Sequence, residues 1–219
     1  MLHGVDLSTY QRDVNYPELG RAIAFGYAKC TDAKKPDGIT WVPFTDDQHE
    51  THSLGLRAVG VPTGSYCFGH PSQDPLTSAD YFVTHAWFDQ LRPCIDMESL
   101  NLDHTIPSNA GQWVAMWCLR IEASTGARPI IYASTSYCIE LLRQVPALRD
   151  RDWWLAQYKD ETHQVPPDRL PSVPGLLAAR ILAAQWTGAG TLPGVAGHVD
   201  RDVCPSIEPL YVEVPDLST

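Results

Sequence analysis

Two carboxylates, Asp96 and Glu98, close the short apolar run Pro93-Cys94-Ile95-Asp96-Met97-Glu98. On a strand, residues i and i+2 point to the same face. Both acids then face one way, about 6.6 Å apart at a rise of about 3.3 Å per residue. Such a pair suits glycoside hydrolysis: one acid protonates the leaving oxygen while the other stabilises positive charge or activates water. The separation exceeds the roughly 5–5.5 Å of a double-displacement pair. It fits inversion, or a route in which the substrate's own N-acetyl group attacks. Alone, a DxE triplet also reads as the solvated end of a strand. Two further acids change its weight. Asp6 ends the first expected strand in "GVDLSTYQ", and Asp200 lies in "GHVDRDV" near the other end of the chain. If first and last strands are neighbours, four acids meet at one mouth, and crowded like charges raise at least one carboxyl pKa, as a general acid requires.

The elements that must position these acids are eight short runs rich in Val, Ile, Tyr and Trp, as buried strands are. They fall at 3–8, 22–30, the last part of 58–68, 93–98, 128–134, 152–158, 181–187 and 197–203. Helices are expected between the early runs. One is read over 43–57, from Pro43 with Asp46, Asp47 and Glu50 in its first turns. Others are read over 76–91, over 108–125 from an N-capping Ser108 to Gly126, and over 135–144 before Pro146. The proline-rich segment 159–178 has no helical period, so the last strands are expected to join by loops or hairpins. Eight strands with helices after the first five predict a single-domain α/β fold, a trimmed barrel. It spans residues 1–205, with a C-terminal tail over 206–219 that is either a strap or a frayed end.

The 219 residues and 44% hydrophobic content suffice for one sizeable core. The net charge of −10 disfavours nucleic acid as a partner, because phosphate contacts need a basic surface. No apolar run approaches a membrane span, so no membrane insertion is expected. The first residues lack the basic and apolar regions of a signal peptide. The chain is expected to stay in the cytoplasm that makes it until something else releases it. The six cysteines form no CxxC and read as small buried hydrophobes rather than disulfides or zinc ligands. His49 and His52 read as one solvated helix face.

Seven short segments, in order, resemble the family 25 glycoside hydrolases, the CH-type lysozymes that include many phage endolysins. They are "GVDLSTYQ", "YAKCTD", "GSYCF", "CIDMES", "IIYAS", "WWLAQY" and "AAQWTGAGTLPGVAGHVDRD", and the likeness spans about residues 3–204. It departs at four places. Asp32 stands where Glu is more usual, Cys67 where His is, Asp202 where Asn often is, and Trp186 where Tyr usually is. The resemblance implies a TIM-like (β/α)5β3 barrel that cleaves the β-1,4 bond between N-acetylmuramic acid and N-acetylglucosamine. It implies Glu98 as general acid and Asp96 as the group that stabilises the acetamido group or the intermediate it forms. Asp6 and Asp200 would complete the acidic cluster.

Aromatic residues at predicted strand ends are candidate sugar platforms: Tyr66, Phe68, Tyr132, Trp154, Tyr158 and Trp186. Core packing is the competing role for each. Tyr66, Tyr132, Tyr158 and Trp186 are the preferred groove members. Gln185 could bond a substrate hydroxyl or acetamido group, and Lys29 points either to the acids as a counter-ion or to solvent. Together these predict a monomeric muramidase of phage-endolysin type that acts on the glycan strands of bacterial peptidoglycan without metal or organic cofactor. The alternatives are a non-catalytic wall-binding or virion-structural barrel, and a chitinase-like hydrolase.

Overall fold

The computed structural model describes residues 1–98, 105–158 and 165–213. Ser99 of the DxE segment, residues 159–164 and the tail residues 214–219 lie outside the described residues. Nine strands occur among the described residues: β1 (Leu2–Leu7), β2 (Phe25–Lys34), β3 (Val42–Thr45), β4 (Thr63–Phe68), β5 (Cys94–Met97), β6 (Ile130–Ser134), β7 (Asp152–Ala156), β8 (Ile181–Gly190) and β9 (Val199–Cys204). The helices are α1 (Tyr16–Leu19), α2 (His49–Ala58), α3 (Pro75–His85), α4 (Ala110–Thr125) and α5 (Thr135–Gln144). The sheet runs β1-β9-β8-β7-β6-β5-β4-β2 and closes through a β1–β2 pairing, so eight strands form the expected barrel. β3 hangs on β2 outside the ring. Pairings from β1 through β2, β4, β5, β6 and β7 to β8 are parallel. β9 lies antiparallel to both β8 and β1.

The parallel strands read as unbroken apolar runs because both faces are covered. In β5, Ile95 and Met97 pack outward into the cluster that holds Phe82 of α3 and Trp113 and Trp117 of α4. Cys94 and Asp96 face inward. Strand-to-helix turns are fixed locally. Ser134 ends β6, and its hydroxyl caps α5 by accepting from Tyr137 N at 3.2 Å. Asp74 caps α3 through Thr77 N at 2.7 Å, with Pro75 next. Gly126, at φ 73°, ends α4 in the left-handed conformation that glycine adopts without strain.

Several boundaries differ from the sequence reading. β2 runs four residues beyond Cys30 and turns back as β3, where a helix was expected from Pro43. Pro43 lies on an edge strand, where its missing N–H costs no ladder bond. Asp46 is a turn residue rather than a helix-start acid: it accepts from Gln48 N at 2.9 Å and from Thr9 N at 3.1 Å. α3 stops at His85, and Asn109 rather than Ser108 precedes α4.

His49 and His52 are buried, not solvated. Each has found a specific partner: His49 meets Ser65 Oγ at 3.0 Å, and Ser8 O accepts from His52 Nε2 at 3.0 Å. The tail is a strap as far as residue 213. Leu210 is buried, and its carbonyl accepts from Arg92 N at 2.7 Å, at the entry to β5. No described helix is long and apolar enough to cross a membrane.

Candidate active site

The C-terminal ends of the parallel strands surround an open cavity of about 240 Å³. Strand register explains who meets there. Asp6 of β1 pairs with Asp200 of β9, and Gly4 with Asp202 one step deeper. Asp202 also pairs with Gln185 of β8. On the far wall, Asp96 lies between Phe68 of β4 and Tyr132 of β6. Lys29 of β2 lies beside Tyr66 of β4. Asp6, Asp96, Glu98 and Asp200 all line the cavity, with Lys29, Tyr66, Phe68, Tyr132, Trp154, Tyr158 and Gln185. Gly188 lets the wall close up, since a Cβ there would stand 3.1 Å from Asp200 Oδ1.

A chain of hydrogen bonds crosses the mouth. Tyr132 Oη lies 3.0 Å from Glu98 Oε1 and 2.7 Å from Gln185 Oε1. Tyr158 also donates to Gln185 Oε1. Gln185 Nε2 donates to Asp6 Oδ2 at 2.8 Å. Tyr132 has a single proton, so it serves Gln185 or Glu98 but not both.

Burial raises every acid of the cluster. Glu98 is raised by burial, against the Tyr132 bond and the Lys29 charge that lower it. Its residue surface stays open to solvent, as a donor to an incoming substrate must be. Asp96 is raised well above the usual range by burial and then by the charges of Glu98 and Asp6. Asp6 is pushed up to about 6, chiefly by burial. Asp200 is pushed up to about 9 by burial and then by Asp6 and Glu98. Lys29 is the one cation among the residues lining the cavity. It faces the acids rather than solvent, with its ammonium bonded to Asp32.

Asp202 sits beneath them with 0% exposure. No amide, hydroxyl or ammonium donor is bonded to either of its oxygens. It meets the Asp6 carboxyl and the Trp154 indole instead. An unpaired carboxylate is costly there, so the group is carried as a neutral acid that can donate to Asp6.

Trp186 does not reach the mouth. Gln185 points inward, so its neighbour must point out. Trp186 is buried on the outer face, under the Arg201 guanidinium at 4.7 Å and near Leu170. Cys67 is also outward and buried, with Sγ 3.6 Å from Ser78 Oγ of α3. Its departure from the family pattern leaves the cavity lining untouched. Ser8, Tyr10 and Cys94 line the cavity and were not singled out from sequence. Tyr10 is 85% exposed. Its place in "DLSTY", four residues after Asp6, was the available signal. Among the described residues, no group of three or more His, Cys, Asp or Glu is arranged to hold a metal ion.

The comparisons with known proteins agree with this geometry. The uncharacterized protein YegX of Escherichia coli (strain K12) is 24% identical over 210 residues, which is 92% of this chain and 69% of that protein. An N,O-diacetylmuramidase of Arthroderma benhamiae is 26% identical over 145 residues, 62% of this chain and 59% of that one. Among solved structures, the Clostridium perfringens spore cortex lytic enzyme SleM superposes with a TM-score of 0.77 at 26% identity, covering 96% of this chain and 69% of that chain. The lysozyme of Streptomyces coelicolor has the same fold, with a TM-score of 0.76 at 20% identity over 94% and 92% of the two chains. Residues 5–195 match the model of glycosyl hydrolases family 25. The chain belongs to that family of glycoside hydrolases.

Proposed function

We propose that the protein is a peptidoglycan muramidase that hydrolyses the β-1,4 bond between N-acetylmuramic acid and N-acetylglucosamine. The observation that carries this reading is the Asp96–Glu98 pair at the mouth of a cavity whose acids are all raised by burial. The family membership and the diacetylmuramidase relative support it. Glu98 is the proton donor to the glycosidic oxygen. As it gives up that proton it becomes a carboxylate, and Tyr132 then turns its single proton from Gln185 to Glu98. Gln185 keeps the Tyr158 bond, so the switch strands no acceptor. Asp96 accepts from the substrate's acetamido N–H and steadies the attack of the acetamido oxygen on the anomeric carbon. Water then attacks the anomeric carbon, the bond from that carbon to the acetamido oxygen breaks, and the Glu98 carboxylate takes up the water proton, which restores the acid. Asp6 holds Gln185, and Asp200 beside it acts on Asp6 and Glu98 through their charges.

The phage-endolysin setting is proposed on the same footing. One structure of the same fold is the catalytic domain of a Listeria phage endolysin, at 21% identity, a likeness of fold alone.

Digestion of purified walls followed by mass spectrometry tests the activity. New reducing ends on muramic acid are expected. No new reducing ends from acid to neutral pH would remove the enzyme reading, and cleavage of chitin oligomers in their place would make the protein a chitinase-like hydrolase. The proton switch makes its own prediction. Tyr132→Phe is expected to lower kcat by about tenfold, the worth of one hydrogen bond to a charged group. Its alkaline pH limb should move upward, because the bond that lowers the Glu98 pKa is gone. An unmoved limb would mean that Tyr132 only packs.

A further inference from the structure

Three of the four lysines in this chain, Lys29, Lys34 and Lys35, fall in β2 and the turn that follows it. The net charge is −10, so this is a local reversal of sign. The arginines mostly serve ion pairs, such as Arg57–Asp89 and Arg120–Asp80. Lys34 and Lys35 are exposed, and neither pairs with a carboxylate among the described residues. Each instead lies over a ring: Lys34 Nζ is 5.2 Å from the centre of Phe44, and Lys35 Nζ is 4.8 Å from that of Trp41. Stacking of this kind orders a long side chain and leaves its charge free to act.

The hairpin of β2 and β3 rises from the end of β2 that carries Lys29, on the cavity side. A band of rings joins the two. Phe68, in the cavity wall, lies 5.2 Å from His70, and His70 lies 4.3 Å from Trp41. Lys29 covers the first ring at 4.8 Å, and Lys35 covers the last. Asp32 locks the band in place by accepting from Lys29 and bonding His70 Nε2 at 2.7 Å. A ligand that leaves the acidic mouth along this band therefore meets two unpaired ammonium groups.

We propose that the β2–β3 hairpin is a second substrate contact, in which Lys34 and Lys35 bind the carboxylates of the peptide stem carried by muramic acid. This rests on the muramidase reading above. The glycan is largely neutral, but its stems end in carboxylates. The cavity is lined by four acids and by one lysine already bonded to Asp32, so it offers those carboxylates no free cation, while the hairpin offers two.

The test is the full-length variant Lys34→Gln/Lys35→Gln, which keeps the stems over their rings and removes the charges. Its substrates are peptide-bearing peptidoglycan freed of teichoic acid, and glycan strands stripped of peptide by an amidase. KM on the peptide-bearing polymer is expected to rise about five- to tenfold, the yield of two exposed charge contacts. kcat and the melting temperature should hold, and the stripped strands should be cleaved as by wild type. Lys34→Arg/Lys35→Arg should restore the KM. An equal change on both polymers, or none on either, would overturn the proposal. A deficit seen only on walls that retain teichoic acid would assign the hairpin to phosphate polymers and overturn it too. If wild type cleaves neither polymer, the muramidase reading itself falls, an outcome separable from all the others.

Discussion

Glu98→Gln is expected to lower reducing-end release from purified peptidoglycan by about a thousandfold, within the range that general acid catalysis contributes. Gln keeps the volume and can still meet the Tyr132 hydroxyl, so the fold and melting temperature should be unchanged. What it lacks is a proton acidic enough to leave. Wild-type activity should fall as pH rises past the raised Glu98 value, because the donor is then lost. The same fall is not expected in the variant. Asp96→Asn should also be severe, because a carboxyl can ionise as positive charge develops on the substrate's acetamido group and an amide cannot. The two variants differ in a measurable way: only Glu98→Gln should regain rate on a substrate whose leaving group needs no proton, such as an aryl glycoside. Near wild-type turnover by Glu98→Gln on peptidoglycan would sink the assignment.

Asp202→Asn is expected to raise the melting temperature by more than about 5 °C at about pH 8, with little change near pH 4. The sign follows from linkage. Burial raises Asp202 and Asp200 far above an ordinary 3.8, Asp200 to about 9. A raised acid is protonated in the folded state and ionised in the unfolded one. Its contribution is full below the unfolded pKa and is lost as pH rises toward the folded value. Each such group loses about 1.4 kcal/mol per pH unit across that window. Wild type should therefore grow less stable from about pH 4 toward pH 9.

Below that window, acids that are depressed act in the opposite sense. Asp152 is one: burial alone would raise it, but the bond from Arg92 at 2.7 Å and the Arg180 and Arg128 charges bring it down. Asn at position 202 cannot ionise and still offers an N–H to Asp6, so the alkaline loss becomes shallower. Calorimetry across pH checks this. Equal slopes in the two proteins would mean that Asp202 is ionised in the folded state.

The strands and the DxE motif were legible because they are local. Period-two alternation and apolar runs are written in adjacent residues, and so is the inward direction of Asp96. The resemblance supplied the order of the segments. The hairpin strand β3 was not legible. "TWVPFTDD" carries a proline and two acids that suit a helix start, and only its pairing with β2 decides otherwise. His49 and His52 looked solvated by type, but burial with a hydroxyl and a carbonyl partner satisfies them equally well. Trp186 was judged by its aromatic ring, although strand parity against Gln185 already sent it outward.

By itself, the sequence determined the eight strands of the barrel, the identity of the acids and the chemistry they can do, since these depend on side-chain type and near-neighbour spacing. Only the tertiary structure decided which acids share protons. Barrel closure brings Gln185 to Asp6 across 179 residues and leaves Asp202 with no bonded cation in its interior. A carboxyl pKa answers to burial and to neighbours within a few ångströms, and those are fixed by strand register, not by distance along the chain.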